Sequence, residues 1–243
     1  MRGLLAPDIL RMWEAGGDRQ PIERALTLLA AACPESSLEQ LAALSISRRD
    51  SQLLELRQRT FGDTLNAFSE CPRCAGRLEI RFAASAIKTT GDNRPDVQEM
   101  ESRGLTVRFR LPNSVDLAEA LPAGTIDRAR EALLYRCVIE ARRGEAIVAP
   151  NELPPEVSEE INRRMAESDP AAEVRLDLQC PFCSHAWQAL FDIAAFFWTE
   201  ISTHARRLLR EIDALARTYG WGEAEILGLS ATRRRAYLEL IGA

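Results

Sequence analysis

The sequence contains little lysine or histidine, and it lacks the short motifs that mark common active sites. Lys88 is the only lysine, so arginine supplies every other basic side chain, and the chain has 2 histidines. It has no glycine-rich phosphate loop, no Gly-X-Ser-X-Gly and no His-Glu-X-X-His sequence. We therefore do not expect an enzyme, because the sequence shows no set of residues that could act together as nucleophile, acid and base.

Long apolar runs and an excess of positive charge are also missing. No stretch of about 18 apolar residues occurs, so no membrane-spanning helix is predicted. Pro7, Asp8 and Glu14 interrupt the N-terminal stretch, which argues against a signal peptide and favours the cytoplasm. The formal net charge is −5 and the pI is about 5.3. Proteins that bind nucleic acid are usually basic, so nucleic acid is not the expected partner, and neither is a membrane.

Four of the 6 cysteines form two Cys-Pro-X-Cys pairs, Cys71 with Cys74 and Cys180 with Cys183. Two residues between the thiolates let both sulfur atoms face one ion, and zinc takes four ligands in a tetrahedron. We interpret the four cysteines as ligands of one Zn²⁺ ion. Two other interpretations stay open. One is a thioredoxin-type redox motif, although strand-like rather than helical sequence follows here, and the other is two pairs without metal.

The spacing of the two pairs indicates what the zinc does. Residues 75–179 lie between them, whereas a simple zinc ribbon has roughly 15–20 residues at this point. The intervening segment is therefore predicted to be an inserted subdomain, with both pairs meeting at its base. Four cysteines leave no open position for water, so we interpret the site as structural rather than catalytic.

The periodicity of the apolar residues predicts an α+β fold that is mostly helical, with two strand–knuckle–strand hairpins joined at the zinc. We divide the chain into an N-terminal helical region (residues 1–62), a zinc-ribbon-like β portion (63–87 and 171–192), an inserted α+β subdomain (88–170) and a C-terminal helical hairpin (193–243).

Some segments and side chains receive more specific predictions. Residues 126–141 have the apolar spacing of one helix, and the polar segment 88–103 is predicted to be a loop. Arg57 is expected to point outward from its helix. The aromatic residues at positions 196–198, together with Trp187, are expected to form the core around the zinc hairpins.

The remaining candidate residues have structural interpretations that outweigh the functional ones. Cys33 and Cys137 lie in apolar helical contexts and are expected to be buried. His185 is expected to be a turn residue near the cysteines, and His204 part of a surface pair with a glutamate one helical turn away. The basic run 233–235 could contact nucleic acid, but such runs are more often solvated or face an acidic partner.

Several motifs along the chain resemble those of a known family. In the C-terminal segment they are Tyr219-Gly220-Trp221, Glu223 to Leu227, Leu229-Ser230, Arg234-Arg235 and Tyr237-Leu238. Earlier in the chain they are Trp13-Glu14, Arg24-Ala25-Leu26, Leu53 to Arg57, Phe61-Gly62, Phe109-Arg110-Leu111-Pro112 and Asp116-Leu117. On these motifs the sequence resembles the T-even-like baseplate hub assembly chaperones of contractile tails and contractile injection systems.

The resemblance implies a non-enzymatic assembly chaperone or a baseplate-associated protein of a phage-like contractile injection system. Its expected partners are hub, spike or other baseplate proteins, and it would be cytoplasmic or incorporated in the assembled particle. The partner surface is expected on the C-terminal helices, at Trp198, Trp221, Arg234, Arg235 and Tyr237. A zinc-ribbon protein that binds nucleic acid or regulates expression is the alternative.

Overall fold

The computed structural model describes residues 1–87 and 97–242, in which helices are combined with short antiparallel strands. The helices are α1 (Ala6–Gly16), α2 (Pro21–Ala32), α3 (Leu38–Ala42), α4 (Ile46–Phe61), α5 (Ala84–Ile87), α6 (Ser114–Ala120), α7 (Ile126–Cys137), α8 (Pro155–Ser168), α9 (Ile193–Tyr219), α10 (Glu223–Gly228) and α11 (Ala231–Leu240). The strands are β1 (Thr64–Glu70), β2 (Arg77–Ala83), β3 (Val97–Ser102), β4 (Leu105–Arg110), β5 (Val138–Arg143), β6 (Ala146–Ile147), β7 (Val174–Gln179) and β8 (Ala186–Phe191). The prediction of an α+β fold is confirmed.

Helix α9 lies at the centre of the largest hydrophobic core. Its buried residues recur every three or four positions and therefore line one side: Ile193, Phe197, Ile201, Ala205, Leu208, Ile212 and Leu215. Helices α1, α2 and α4 pack against α9. Asp192 starts α9 by accepting a hydrogen bond from the N–H of Ala195, and Gly220 ends it in the left-handed conformation, at φ 70°.

Two β-hairpins follow the alternating pattern of the sequence. Strand β1 pairs with β2 and β7 pairs with β8, both antiparallel. In each hairpin one face is buried or half-buried and the other is largely exposed. The rings of Phe82 and Phe191 meet edge to face with their centres 5.4 Å apart. The hairpins therefore touch at the ends remote from their turns, and the cysteine-containing turns lie at the opposite ends.

The chain between the hairpins builds a second core. Strands β3, β4, β5 and β6 form an antiparallel sheet in sequential order. Its buried residues cluster with those of α7 and α8, namely Met100, Leu105, Val107, Phe109, Leu111, Leu134, Cys137, Val138, Ala141, Leu153, Val157, Ile161 and Met165. The alternation of buried and exposed residues along β4 explains this packing, because a strand presents every second side chain to the same face.

Polar contacts join this second core to the N-terminal helices at the start of α4. The N–H of Ser47 donates to Oδ2 of Asp169 over 3.4 Å, and the Arg49 guanidinium donates to Oγ of Ser114 over 3.3 Å. All four residues are buried. Because Ser114 and Asp169 lie on either side of α7 and α8 in the sequence, both ends of that segment are held against α4.

The predicted helix over residues 126–141 was wrong at its end. Helix α7 stops at Cys137, and Val138–Arg143 is strand β5. Val138 pairs with Phe109 of β4. Valine and isoleucine at positions 138 and 139 favour strands because their branched side chains are restricted in a helix. The pairing with β4 therefore prevails over the helical spacing of the apolar residues.

The predicted loop over residues 88–103 was also wrong in part. Val97–Ser102 is strand β3, paired with β4 from Val97↔Arg110 to Ser102↔Leu105. Residues 88–96 lie outside the described part of the chain. Strand β3 lies at the edge of the sheet and buries only Met100. Its other residues include glutamine, glutamate and serine, so its sequence lacks the apolar alternation that predicts a strand.

Two predictions about side chains need correction. Arg57 does not point outward: its side chain is 3% exposed and pairs with Glu200 of α9. The aromatic residues at positions 196–198 belong to the large helical core rather than to the surroundings of the cysteines, although the ring of Phe196 lies 5.3 Å from that of Phe191 in β8. Phe197 is buried in the large helical core, whereas Trp187 packs beside the cysteines in a separate small cluster.

Candidate metal centre

The four paired cysteines come together where the two hairpin turns meet. Their Sγ atoms all lie within 4.8 Å of one another. The Sγ atoms of Cys71 and Cys183 are 3.7 Å apart, and those of Cys74 and Cys180 are 3.6 Å apart. Four sulfur atoms at about 2.3 Å from one tetrahedral ion are separated by about 3.8 Å. The spacing therefore fits a single four-coordinate zinc ion.

The two Cys-Pro-X-Cys turns have the same backbone geometry, so each turn orients its pair of sulfur atoms in the same way. In the first turn the N–H of Ala75 donates to the carbonyl of Cys71, and the N–H of Cys71 donates to the carbonyl of Gly76. The second turn repeats these bonds, from Ser184 to the carbonyl of Cys180 and from Cys180 to that of His185. Ala75 and Ser184 adopt positive φ angles of 55° and 56°. In each turn this geometry folds the chain back after the second cysteine, so that both thiols of the pair point to the same side.

The environment of the thiols favours a bound cation. Burial raises the pKa of Cys180, but N–H groups of Phe182 and Cys183 donate to its sulfur and bring its pKa down to about 7. The N–H of Gly76 lowers the pKa of Cys74, yet the neighbouring thiols of Cys183 and Cys180 raise it to about 12. Clustered thiolates repel one another, and a divalent cation removes that repulsion.

The immediate surroundings of the cysteines contain few apolar side chains. Cys71, Cys180 and Leu78 are buried, with Ile80 and Trp187 packed against them. A Cβ added at Gly76 would lie 2.6 Å from the exposed ring of Phe182, so any larger residue here would have to displace that ring. His185 stacks on Trp187 with ring centres 6.0 Å apart.

The predicted partner residues do not form one surface. Trp198 is half-buried against α1, where a Cβ on Gly16 would lie 2.3 Å from its ring, and Arg24 sits 4.9 Å from the ring centre. Trp221 and Tyr237 are half-buried in an aromatic cluster at the end of α9, with ring centres 4.8 Å apart. Tyr219 stacks on Trp221 at 4.6 Å and completes this cluster.

The two arginines in the predicted partner set differ from each other. Arg234 is buried, with Nε 2.7 Å from Oε2 of Glu211 and its Nη1 donating to the carbonyl of Leu229 over 3.4 Å. Arg235 is exposed. The basic run therefore does not present all of its guanidinium groups to solvent.

Two buried ionic groups are not apparent from the sequence. Arg57 donates to both carboxylate oxygens of Glu200, over 2.9 and 2.6 Å, which ties α4 to α9. Asp116, fully buried, accepts hydrogen bonds from Arg110 and Arg136. Burial raises the pKa of Asp116, but these bonds outweigh burial and leave the pKa below its usual value. The spacing of Asn113 and Asp116 in the sequence indicates a helix start, but it does not indicate that Asp116 also binds Arg110 and Arg136.

His204, which was expected at the surface, is part of another ring contact. His204 stacks on Phe61 with ring centres 4.2 Å apart. Burial lowers the pKa of His204, which favours the neutral form of its ring. Within the described residues, the four paired cysteines are the one group of three or more histidine, cysteine or acidic side chains that could hold a metal ion.

The chain has a mostly helical α+β fold, and its cysteine cluster brings four thiols together. Comparison with protein families identifies which group this is: the family described as T4 bacteriophage base plate protein matches residues 7–198. The match covers well over half of the chain, so the protein belongs to this family. No curated protein and no solved structure matches the chain. None of the described helices is both long and apolar enough to cross a membrane.

Proposed function

We propose that this chain is a non-enzymatic assembly chaperone, or a baseplate-associated protein, of a phage-like contractile injection system. The observation that carries the proposal is the match of the T4 base plate family to residues 7–198. Its partners would be hub, spike or other baseplate proteins. It would act in the cytoplasm before assembly and could remain in the finished particle.

The proposal includes one structural Zn²⁺ ion bound by Cys71, Cys74, Cys180 and Cys183. The sulfur spacing and the matching turns support it. When bound, zinc supplies cross-linking rather than catalysis, because four thiolates complete its coordination. The cysteines themselves connect the two hairpins across the long segment that separates them in the sequence.

The proposed domain division follows the separate cores. The N-terminal helical region (1–62) and the C-terminal helical hairpin (193–243) share the large core around α9. The zinc-ribbon-like β portion (63–87 and 171–192) has a small cluster around the cysteines, and the inserted α+β subdomain (88–170) has its own core.

The proposed partner surface remains on the C-terminal helices. Trp221 and Tyr237 are half-exposed aromatic residues, and aromatic side chains are enriched where protein interfaces bind most tightly. Arg235 is free to reach a partner, and the buried Arg234 would support the surface from beneath. Trp198 lies near the start of α9, against Gly16 and Arg24, and would contribute a separate contact.

The nucleic-acid-binding alternative has less support from the arrangement of the arginines. Arg234 is held by Glu211, and the carboxylates of Glu223 and Glu225 are exposed on the neighbouring α10. Phosphate-binding surfaces gain affinity from clustered positive charge, which these carboxylates weaken.

Deletion of the gene in its native host tests the proposed function. We expect few or no sheathed particles by electron microscopy, with assembly restored by the wild-type gene. An affinity-tagged copy should also recover a hub or spike protein. Normal numbers of intact particles in the deletion strain would rule out an essential assembly role, and a finished particle free of the protein would leave only a transient one.

A further inference from the structure

A cavity of 260 Å³ opens between the N-terminal helices and the last helix of the chain. Residues of α1, α4, α9 and α11 line it. The volume is slightly below the roughly 300–1,000 Å³ of typical small-molecule sites, so it suits one side chain or one chain end.

Positive charge dominates the wall of the cavity. Arg207, Arg234 and Arg235 line it together with one carboxylate, Glu211. Glu211 already pairs with two of them: its Oε1 is 2.8 Å from Nε of Arg207, and its Oε2 is 2.7 Å from Nε of Arg234. Within residues 1–87 and 97–242, no carboxylate pairs with Arg235. The wall therefore has more cationic than anionic groups, and one guanidinium remains available.

The first residue of α11 adds to this positive potential. Ala231 lines the cavity, and Ser230 caps the helix by accepting a hydrogen bond from the N–H of Arg233. The N-terminal end of a helix carries a partial positive charge that stabilises nearby anions.

Most of the remaining lining is apolar, with Thr60 and His204 as its polar residues. Ile9 and Leu208 contribute aliphatic side chains, and the stacked rings of Phe61 and His204 form part of another wall. A ligand that fits both parts carries a negative group next to an apolar one.

We propose that this cavity binds a carboxylate of a partner polypeptide, either a chain terminus or an acidic side chain. Arg235 and the free face of Arg207 would hold the carboxylate, while the aliphatic part of the same residue would lie against Ile9 and Leu208. The identity of the partner as a baseplate protein rests on the proposed function, but binding of the carboxylate does not.

The observations favour a carboxylate over a nucleic-acid phosphate. Guanidinium groups bind both anions through paired hydrogen bonds. However, Glu211 lies in the same wall and would repel a polyanion more strongly than a single carboxylate.

Histidine signals in the NMR spectrum of the zinc-loaded full chain provide a direct test. The chain has 2 histidines, of which His204 lines the cavity and His185 lies beside Trp187, so His185 serves as an internal control. The probes are N-acetylleucine, with a terminal carboxylate, N-acetylglutamic acid α-amide, with a side-chain carboxylate, and N-acetylleucinamide, with neither.

We expect one or both carboxylates to shift the His204 signal in a saturable way while His185 stays constant. The amide should have no effect. Arg235→Glu should weaken binding at least about tenfold, because it replaces an attractive charge with a repulsive one. Arg210→Glu, the same charge change at an exposed residue of α9, should leave binding unchanged. The carboxylate that binds more tightly shows whether the cavity prefers the carboxylate of a chain end or that of a side chain.

Three results would overturn the proposal. They are the absence of a saturable His204 shift, an equal shift with the amide, and binding that Arg235→Glu leaves intact. Tighter, Arg235-dependent binding of a single-stranded oligonucleotide would replace it with a nucleic-acid site. None of these results depends on particle assembly, so the failure of this proposal and that of the proposed function can be told apart.

Discussion

The helical core and the cysteine hairpins differ in what holds them together. The core around α9 buries large side chains from both ends of the chain, including Leu28, Leu53 and Phe197. Around the cysteines the hairpins bury only Leu78 and two cysteines, although Leu65 at the base of the first hairpin belongs to the large core. Burial at about 25 cal/mol per Å² can stabilise the first region, whereas a cluster as small as the second generally needs a metal or a disulfide. The comparison predicts that the two regions respond differently to the same kinds of perturbation.

The largest effect is expected from Cys180→Ser. Structural zinc contributes binding free energy on the order of 10 kcal/mol in small domains, and much of it is lost with one thiolate. We expect loss of zinc by metal analysis and rapid proteolysis within residues 63–87 and 171–192, while the helical circular dichroism signal largely persists. Cys33→Ser, at a buried cysteine of the helical core, should keep its zinc. A stable Cys180→Ser protein that retained zinc would contradict the four-thiolate site.

Phe197→Ala tests the opposite region. Phe197 is fully buried in the helical core, and such truncations cost about 3–5 kcal/mol because they remove contacts and leave a cavity. We expect a lower free energy of unfolding in denaturant, with the zinc content unchanged under native conditions. Phe68→Ala, at a ring that is 76% exposed, should change stability by less than about 0.5 kcal/mol. Loss of zinc from folded Phe197→Ala protein would show that the two regions are not separable.

Arg57→Met addresses the connection between the regions. Besides binding Glu200, Arg57 donates to the carbonyl of Gly62, just before β1, over 2.7 Å. Its removal leaves the half-buried Glu200 unpaired and should cost about 2–3 kcal/mol in chemical denaturation. Arg59→Met removes an exposed pair with Glu55 on the same helix and should cost at most about 0.5 kcal/mol. Equal costs for the two variants would mean that burial does not strengthen the Arg57 pair.

The smallest expected effect concerns acid. A hydrogen bond from Arg2 is the main cause that lowers the pKa of Asp8, from its usual 3.8 to about 2. Because the folded pKa is the lower one, this carboxylate stabilises the fold above pH 3.8 and loses that effect as the pH falls toward 2.

Asp8→Asn should therefore cost about 1 kcal/mol at pH 7, since Asp8 also accepts a hydrogen bond from the first turn of α1 at Leu5. The difference between Asp8→Asn and wild type should shrink in unfolding measurements at progressively lower pH. Asp213→Asn, at an exposed carboxylate, is the control. A difference that grew on acidification would contradict the lowered pKa.

The parts of the fold that the sequence revealed are those with strong local patterns. Helix starts at Pro21, Ser37 and Thr125, the helix stop at Gly220, and the alternating strands β1, β2, β4, β7 and β8 can be predicted from sequence because each depends on near neighbours in the chain. Strand β5 was not visible, since residue 138 becomes a strand only through its pairing with Phe109.

The candidate sites show the same limit. Four cysteines in two matching turns could be recognised from spacing alone. The burial of Arg57 and Arg234 could not, because their carboxylate partners, Glu200 and Glu211, both lie on α9, a different helix from either arginine. The cavity beside Arg235 was missed for the same reason, since it is formed by four helices that are far apart in the sequence.

The length of α9 fixes a distance within the protein. The helix begins immediately after β8 of the second cysteine hairpin and ends at the aromatic cluster of Tyr219, Trp221 and Tyr237. At about 1.5 Å per residue, its 27 residues span about 40 Å. The helix therefore sets the distance between its two ends, and a partner that touched both ends would need two contact points at that separation. Inserting a single residue into α9 would rotate one contact about 100° relative to the other.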